Sequence, residues 1–348
     1  MVFCVYVTRI CLLRLGQGVG GFVYRGQWKD DMRHGKGSLK EDGGIVYEGT
    51  FVRNCKEGFG VLTTADGSTY TGSWRHDCMH GKGIQVTRQG DRHEGLWRNG
   101  LYDGDGVHEY CNGDSYVGSY CDGKFSGHGV FVRACGERYE GEWRDGLKHG
   151  HGVLTNGTTP EKYDGSWERG MRHGQGMQIY ASGHVYRGQW RHDRRHGQGV
   201  LRMDQGELYD GAFEDDMRHG YGEHILPSVE VYVGCWRKGL REGHGQIASA
   251  EGGDFVGEFL NGMKNGLGIN TYADGTVYEG CWKDDKREGK GKISYPGGEI
   301  FEGDWVNDYF VVPEVPMEPV EIPSSDEKRQ QKLAAIKARK KIVVPPCR

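Results

Sequence analysis

Six histidines of the 348-residue chain, His34, His80, His149, His173, His196 and His219, each open an H-G-x-G motif. Imidazoles that recur in one pattern raise the question of a metal site. HGKGS at 34–38 places a lysine and a serine among glycines, as a phosphate cradle would, and GQGVGGFV at 16–23 fits G-x-G-x-x-G. Asp30-Asp31, Asp215-Asp216 and Asp284-Asp285 have the form of general acid/base pairs. The last set is basic: Arg33, Lys56, Lys148, Arg172, Arg195, Arg218, Arg241, Lys264 and Arg287, cations suited to an anionic lipid or an acidic protein surface.

What each set can do depends on the elements that carry it. The chain has 61 glycines, 9 prolines and 36% apolar residues, so a thick, layered core would be hard to fill. Glycine at this level means a linker, collagen or a repeat. No glycine recurs at every third position, and 11% of the chain is aromatic, which excludes the first two. The repeat is visible directly. YRGQW at 24 returns as YEGTF at 47, YTGSW at 70, HEGLW at 93, YVGSY at 116 and YEGEW at 139, and the series continues to FEGDW at 301. The step is 23 residues except between Tyr139 and Tyr163, where it is 24 and the extra residue falls in the turn-rich NGTTPEK. There are twelve full repeats and a thirteenth half.

Numbered from the leading aromatic as position 0, the repeats align into columns. Position 2 is glycine in all thirteen copies, and positions 11 and 13 are glycine in all twelve full ones. Position 4 is always aromatic and holds all nine tryptophans: Trp28, Trp74, Trp97, Trp143, Trp167, Trp190, Trp236, Trp282 and Trp305. Position 7 is Gly, Asp or Asn, the residues that accept positive φ, which predicts a hairpin turn; a second turn is predicted at position 20. Two turns leave two strands per repeat, one over positions 0 to 5 and one over about 11 to 18. Alternation puts positions 0, 2 and 4 on a greasy face and positions 1 and 3 on a wet one. Glycine at 2, 11 and 13 gives the rings room to lie over the backbone. The expected fold is all-β: a single-layer antiparallel β-hairpin ladder, on the order of 110 Å long before twist.

Y-x-G-x-W followed by H-G-x-G at this step resembles the MORN repeat (membrane occupation and recognition nexus), over roughly residues 24 to 308. The resemblance implies an elongated, twisted antiparallel sheet, often dimerised, that serves as a scaffold. Such families include radial-spoke-head and other axonemal proteins, septum and cytoskeleton organisers, junctional membrane tethers and regulatory segments of some plant lipid kinases. The sequence departs from the pattern at His93, in place of the leading Tyr, and where Phe or Tyr replaces Trp in four repeats. The His of H-G-x-G is replaced at Glu57, Asp103, Ser126, Glu242, Asn265 and Glu288, so no shared chemical role is expected for it.

The ladder decides most of the candidate chemistry. Equivalent histidines lie two strands apart, about 9 to 10 Å, whereas zinc needs its ligand nitrogens about 2 Å from one ion. They are read as turn residues, and no metal or cofactor is expected. HGKGS lacks the glycine five residues before its Gly-Lys pair and no helix follows; GQGVGGFV runs into a strand, and the chain has neither HRD nor DFG. The acid pairs recur at a turn without a pocket. The basic column at position 9 remains, expected as a positive row along one edge, broken by Met79, Tyr102 and Phe125.

Outside the ladder, residues 1–23 are expected to cap the first hairpin or be disordered, 309–323 to form an extended Pro/Glu linker, and 324–348 a basic helical tail. The tail carries Lys328, Arg329, Lys332, Lys337, Arg339, Lys340 and Lys341, with a balance of +6 from Ser324 onward, against −10 for the remainder. These cations join the position-9 column as candidates for an anionic partner. Ten cysteines lack C-x-x-C spacing and no secretory signal is convincing, so a reducing, cytoplasmic setting is expected. The residues outside the ladder are too few for a catalytic domain. The expected function is a non-enzymatic scaffold of a ciliary, axonemal or other cytoskeletal assembly, with cytoskeletal proteins or a second copy as partner and no nucleic acid. The alternative is a tether to anionic phospholipids such as phosphoinositides.

Overall fold

The computed structural model describes residues 21–228, 230–250 and 252–312. It divides into two compact parts, one up to Arg194 and one from Arg195 on. The first runs from strand Phe22–Lys29 to strand Val185–Arg191 and the second from Arg194–Arg202 to Tyr309–Phe310. Within each part every strand pairs antiparallel with its neighbours in sequence, as Val46–Val52 does with Cys55–Thr63, which in turn pairs with Thr69–Arg75. The described ladder is all-β, as the residue alternation predicts, and the MORN-type hairpin is its unit. The expected basic helix, residues 1–20 of the expected cap and all but the first residues of the expected linker lie outside the described residues; Phe22 and Val23 begin the first strand, and Tyr309 and Phe310 form the last.

The first turn of each repeat has two residues, and both adopt left-handed backbone. Asp30 and Asp31 have φ of 51° and 55°, Arg53 and Asn54 of 49° and 73°. Two successive positive φ values define the type I′ turn, whose twist matches that of the flanking strands. The second turn is longer. Thr64 N–H donates to Ser68 O at 2.9 Å and Gly67 N–H to Thr64 O at 3.0 Å, with Gly67 at φ +91°.

The second strand differs from expectation. It starts at position 8 and ends at position 16, as in Cys55–Thr63, about three residues earlier than the glycine spacing predicts. The displacement comes from a bulge: Gly49 faces Gly60 and Phe51 faces Lys56, so Glu57, Gly58 and Phe59 oppose Thr50 alone. Gly58 sits in that bulge at φ +69°, and a Cβ there would meet nothing nearer than Thr50 at 3.6 Å. The position-11 glycine therefore serves a backbone conformation, and does not make room for rings.

Glycines 2 and 13 do make room. Gly60 faces Gly49 on one side and Gly72 on the other, and a Cβ on Gly60 would lie 2.6 Å from Cζ of Tyr47. The Tyr47 ring lies across this bare backbone, and its hydroxyl donates to Thr50 O at 3.2 Å. Trp74 stands edge-on to both Tyr47 and Tyr70, at 5.1 and 5.3 Å, and its Nε1–H donates to Gly60 O at 3.3 Å. Edge-to-face contacts of this kind continue along the ring column and form the core, with Tyr116, Tyr186, Tyr209 and Tyr278 fully buried. The single 24-residue repeat keeps the same bond, Trp167 Nε1–H to Gly152 O at 3.1 Å, because the extra residue is absorbed in the loop.

Candidate functional site

The nine basic residues of position 9 sit on the ring face, where each lies over an aromatic side chain of its own repeat, of the next, or of both. The Arg172 guanidinium lies 4.3 Å from the Trp190 ring centre and 5.7 Å from that of Tyr163. Its Nε–H donates to Asp193 Oδ1 at 3.1 Å, one Nη–H to Asp193 O at 2.9 Å and the other to Gln178 Oε1 at 3.0 Å. Arg287 repeats the arrangement with Trp305 and Asp308 and is itself buried. Arg195 lies over Phe213 at 5.2 Å and holds Asp216. Arg33 reaches Asn54 O at 2.8 Å, and Lys264 Nζ donates to Asn270 Oδ1 at 2.7 Å between Phe255 and Trp282.

Two arginines use other partners because the next turn offers glycine instead of an acid. Arg241 lies over Tyr232 and faces Glu230 at 3.4 Å. Arg218, over Trp236, contacts the His224 ring at 3.2 Å, and that imidazole meets Glu207 Oε1 at 2.8 Å. Burial, then the neighbouring arginines, pull the His224 pKa down, and the Glu207 carboxylate opposes them. Lys56 and Lys148 are different again. Each ammonium lies between two rings, Lys56 at 5.2 Å from both Tyr47 and Trp74, Lys148 at 5.0 Å from Tyr139 and 4.8 Å from Trp167. Among the described residues neither has a carboxylate within ion-pair distance, and burial lowers the pKa of Lys148.

The column is thus a series of links between consecutive repeats. The pairing can be read in the sequence 21 residues apart: Arg33 with Asn54, Lys56 with Asp77, Arg172 with Asp193, Arg195 with Asp216, Lys264 with Asp285 and Arg287 with Asp308 all share a hydrogen bond from the basic residue's N–H to the turn side chain. Column-by-column inspection misses it, because the relation runs between two columns of successive repeats. The three neutral residues Met79, Tyr102 and Phe125 precede Gly100, Gly123 and Gly146, so the acid is missing where the cation is missing.

Of the tryptophans, all from Trp74 to Trp305 donate Nε1–H to the position-13 carbonyl of the preceding repeat, and Trp28, first in the ladder, is 39% exposed. His93 takes the tyrosine's place in the fourth repeat, 1% exposed, stacked on Tyr102 at 3.7 Å and edge-on to His108 and Tyr120. Neither of its ring nitrogens has a hydrogen-bond partner, and burial, then the nearby His108, push its pKa down to about 4. Two of the six H-G-x-G histidines face acids of their own hairpins, His173 with Glu168 at 3.5 Å and His219 with Glu214 at 3.3 Å. Among the described residues no three His, Cys, Asp or Glu side chains converge on a metal-sized site, and no helix is long and apolar enough to cross a membrane. The basic residues from Lys328 to Lys341 lie outside the described residues.

The MORN repeat family profile matches twelve segments, beginning with 24–45, 47–69 and 70–92 and ending with 278–300. A search of curated proteins returned no match. Among solved structures, the TCP10 domain of Danio rerio CPAP, in complex with a STIL peptide, is similar at 10% identity over 65% of this chain and 95% of that one, with a TM-score of 0.32. The SAS-4 TCP domain of Drosophila melanogaster, in complex with a proline-rich motif of Ana2, is similar at 14% identity over 58% and 84%, with a TM-score of 0.20. A streptogramin B lyase is similar at 10% identity over 84% and 81%, with a TM-score of 0.13. These scores carry no functional weight. The twelve consecutive matches do: the chain belongs to the MORN repeat family, whose repeats are non-enzymatic scaffolds for protein or membrane interaction.

Proposed function

We propose that the protein is a structural scaffold of a ciliary or axonemal assembly, or of another cytoskeletal one, in the cytoplasm, offering its ladder faces to cytoskeletal proteins or a second copy. The observation that carries this reading is the engagement of the basic column. Arg172, Arg195 and Arg287 are held by rings and by the acid of the next turn, so the cations a lipid headgroup would need are committed to joining repeats. Protein contacts need no such free charge, since shape and aromatic anchors carry most of an interface. The ciliary or cytoskeletal setting rests on the resemblance to family members with those roles.

The alternative, a tether to anionic phospholipids, would rest mainly on the tail from Ser324. A tagged full chain expressed in ciliated cells, followed by detergent extraction of axonemes and, separately, flotation with phosphoinositide liposomes, distinguishes the two. The scaffold reading expects retention in the extracted axoneme or cytoskeleton and little flotation. Strong flotation that disappears with Lys337→Glu, Arg339→Glu, Lys340→Glu and Lys341→Glu, together with loss of localisation, would overturn it.

A further inference from the structure

The cations of position 9 draw their polar partners from three places: the first turn of the next repeat, as Arg172 does with Asp193; position 15 of their own repeat, as Lys264 does with Asn270; and the residue two before their own leading aromatic, as Arg241 does with Glu230. Lys148 finds none of the three. The turn ahead of it offers Gly170 and position 15 is Leu154. The carboxylate of Glu137, the counterpart of Glu230, is turned to Arg133 at 3.4 Å. The Lys148 ammonium is left between the Tyr139 and Trp167 rings, at 5.0 and 4.8 Å, half-buried and with no hydrogen bond to any described residue. A carboxylate brought to it would add the charge-assisted hydrogen bond that the rings cannot supply.

The same lysine faces a groove. It has a volume of about 290 Å³, lies wholly within the part up to Arg194, and is lined by Lys148, Leu154, Glu161, Tyr163, Trp167 and Arg172 among others. The one 24-residue repeat shapes its wall: Asn156 N–H closes the second turn on Glu161 O, five residues on, where Thr64 N–H closes on Ser68 O, four on. The volume is small for a cofactor and suits a side chain or two. Most charges of the lining are compensated, since Arg172 holds Asp193 and Lys162 meets Asp164 at 3.0 Å. Glu161 has no ion-pair partner among the described residues, so the groove carries one open cation and one open acid. A polyacidic ligand would meet that acid. A single carboxylate flanked by apolar side chains would meet Lys148, with Trp167 and Leu154 beneath its neighbours. We infer that the groove is a docking site for a segment of a partner protein in which one glutamate or aspartate stands between apolar residues, its carboxylate on the Lys148 ammonium. The inference rests on the scaffold reading for the polypeptide nature of the ligand. It is tested by binding to the purified chain, whereas that reading is decided by retention in the extracted assembly.

The test uses the full chain labelled with fluorotryptophan, the Trp167 fluorine signal being assigned through Trp167→Phe. The labelled chain is titrated with acetyl-Leu-Glu-Leu-amide, with acetyl-Leu-Gln-Leu-amide and with sodium acetate. The glutamate peptide is expected to shift the Trp167 signal at millimolar concentration. The glutamine peptide, which keeps the shape and lacks the charge, should bind roughly tenfold more weakly, and acetate, which lacks the apolar contacts, should also bind more weakly than the glutamate peptide. Lys148→Met keeps the apolar stem and should bring the two peptides level. Leu154→Asn gives Lys148 the partner that Lys264 has in Asn270 and should weaken the glutamate peptide by a similar factor. The comparison of peptides needs no substitution, so misfolding of a variant does not decide the result. No shift with the glutamate peptide, equal affinity for the two peptides, acetate binding as tightly as the glutamate peptide, or a preference for glutamate that survives Lys148→Met would overturn the proposal.

Discussion

Arg172 holds Asp193 with three hydrogen bonds, and those two residues belong to different repeats: the base closes one hairpin and the acid turns the next. The link joins units that would otherwise meet only through backbone pairing and ring contact. Both side chains are partly exposed, at 26% and 47%, so the charge attraction itself is screened. A double-mutant cycle on Arg172→Ala and Asp193→Ala should therefore give a coupling below about 1 kcal/mol. Arg172→Ala alone should cost about 1 to 2 kcal/mol in denaturant unfolding, since it also removes the cation over Trp190. A coupling much larger than this would mean the pair is better shielded than its exposure implies.

The two glycine roles predict two different penalties. Gly60→Val drives a branched side chain into the Tyr47 ring and the facing strand, and should destabilise the ladder by several kcal/mol. Gly58→Ala meets no atom closely but forces a left-handed residue, which costs about 1 kcal/mol. Comparable unfolding midpoints for the two variants would contradict the assignment of space to one and backbone conformation to the other.

Tyr116 and Tyr120 share a strand and should respond oppositely to loss of the hydroxyl. Tyr116 donates to Ser119 O at 3.0 Å, so Tyr116→Phe leaves that carbonyl without its partner and should cost about 1 kcal/mol. The Tyr120 hydroxyl is buried with no partner, and Tyr120→Phe should be neutral or stabilising by up to about 1 kcal/mol. Thermal unfolding of the two variants, measured side by side, checks the ordering.

His93 makes stability depend on pH in a definite direction. Its folded pKa of about 4 lies below the ordinary histidine value of 6.5, so the unfolded chain takes up the proton first as the pH falls. Stability due to this residue is complete above pH 6.5 and declines between there and about 4, by up to about 3 kcal/mol. His108 is shifted the same way by burial, with the Asp91 carboxylate opposing the shift. His93→Tyr, which installs the residue of most other repeats, should remove much of the decline. Urea unfolding from pH 7 to pH 4.5 with an unchanged difference between the two proteins would contradict the assignment.

Most of the ladder was legible because its period exceeds any local ambiguity. Tyr47, Gly49 and Phe51 mean little in one copy, but thirteen copies expose the two-residue alternation and the bare backbone beneath the rings. Position 7 could be recognised as a turn from its Asp, Asn and Gly content, since few other residues accept its φ. The bulge at Gly58 could not be read, because glycine has the same appearance whether it supplies space or a left-handed backbone. Nor could the place of Arg172. A basic residue beside a turn looks like solvated rim until its ring neighbours, eighteen residues on in the next repeat, are brought under it. His93 stood out in its column, yet its unpartnered nitrogens follow only from the burial of that column.

Two kinds of link recur between repeats, each with a fixed polarity. A basic residue reaches forward for the next turn's side chain, and a tryptophan reaches back for the previous glycine's carbonyl. Each repeat is therefore a socket waiting for a plug, and Phe301 to Phe310 is best understood as the plug that fills the twelfth: Trp305 and Asp308 receive Arg287, and Phe310 covers Trp305 at 5.4 Å. Length in such a chain is quantised. Removing one whole 23-residue repeat leaves every socket filled, whereas removing half of one leaves a cation and a ring without the groups that complete them.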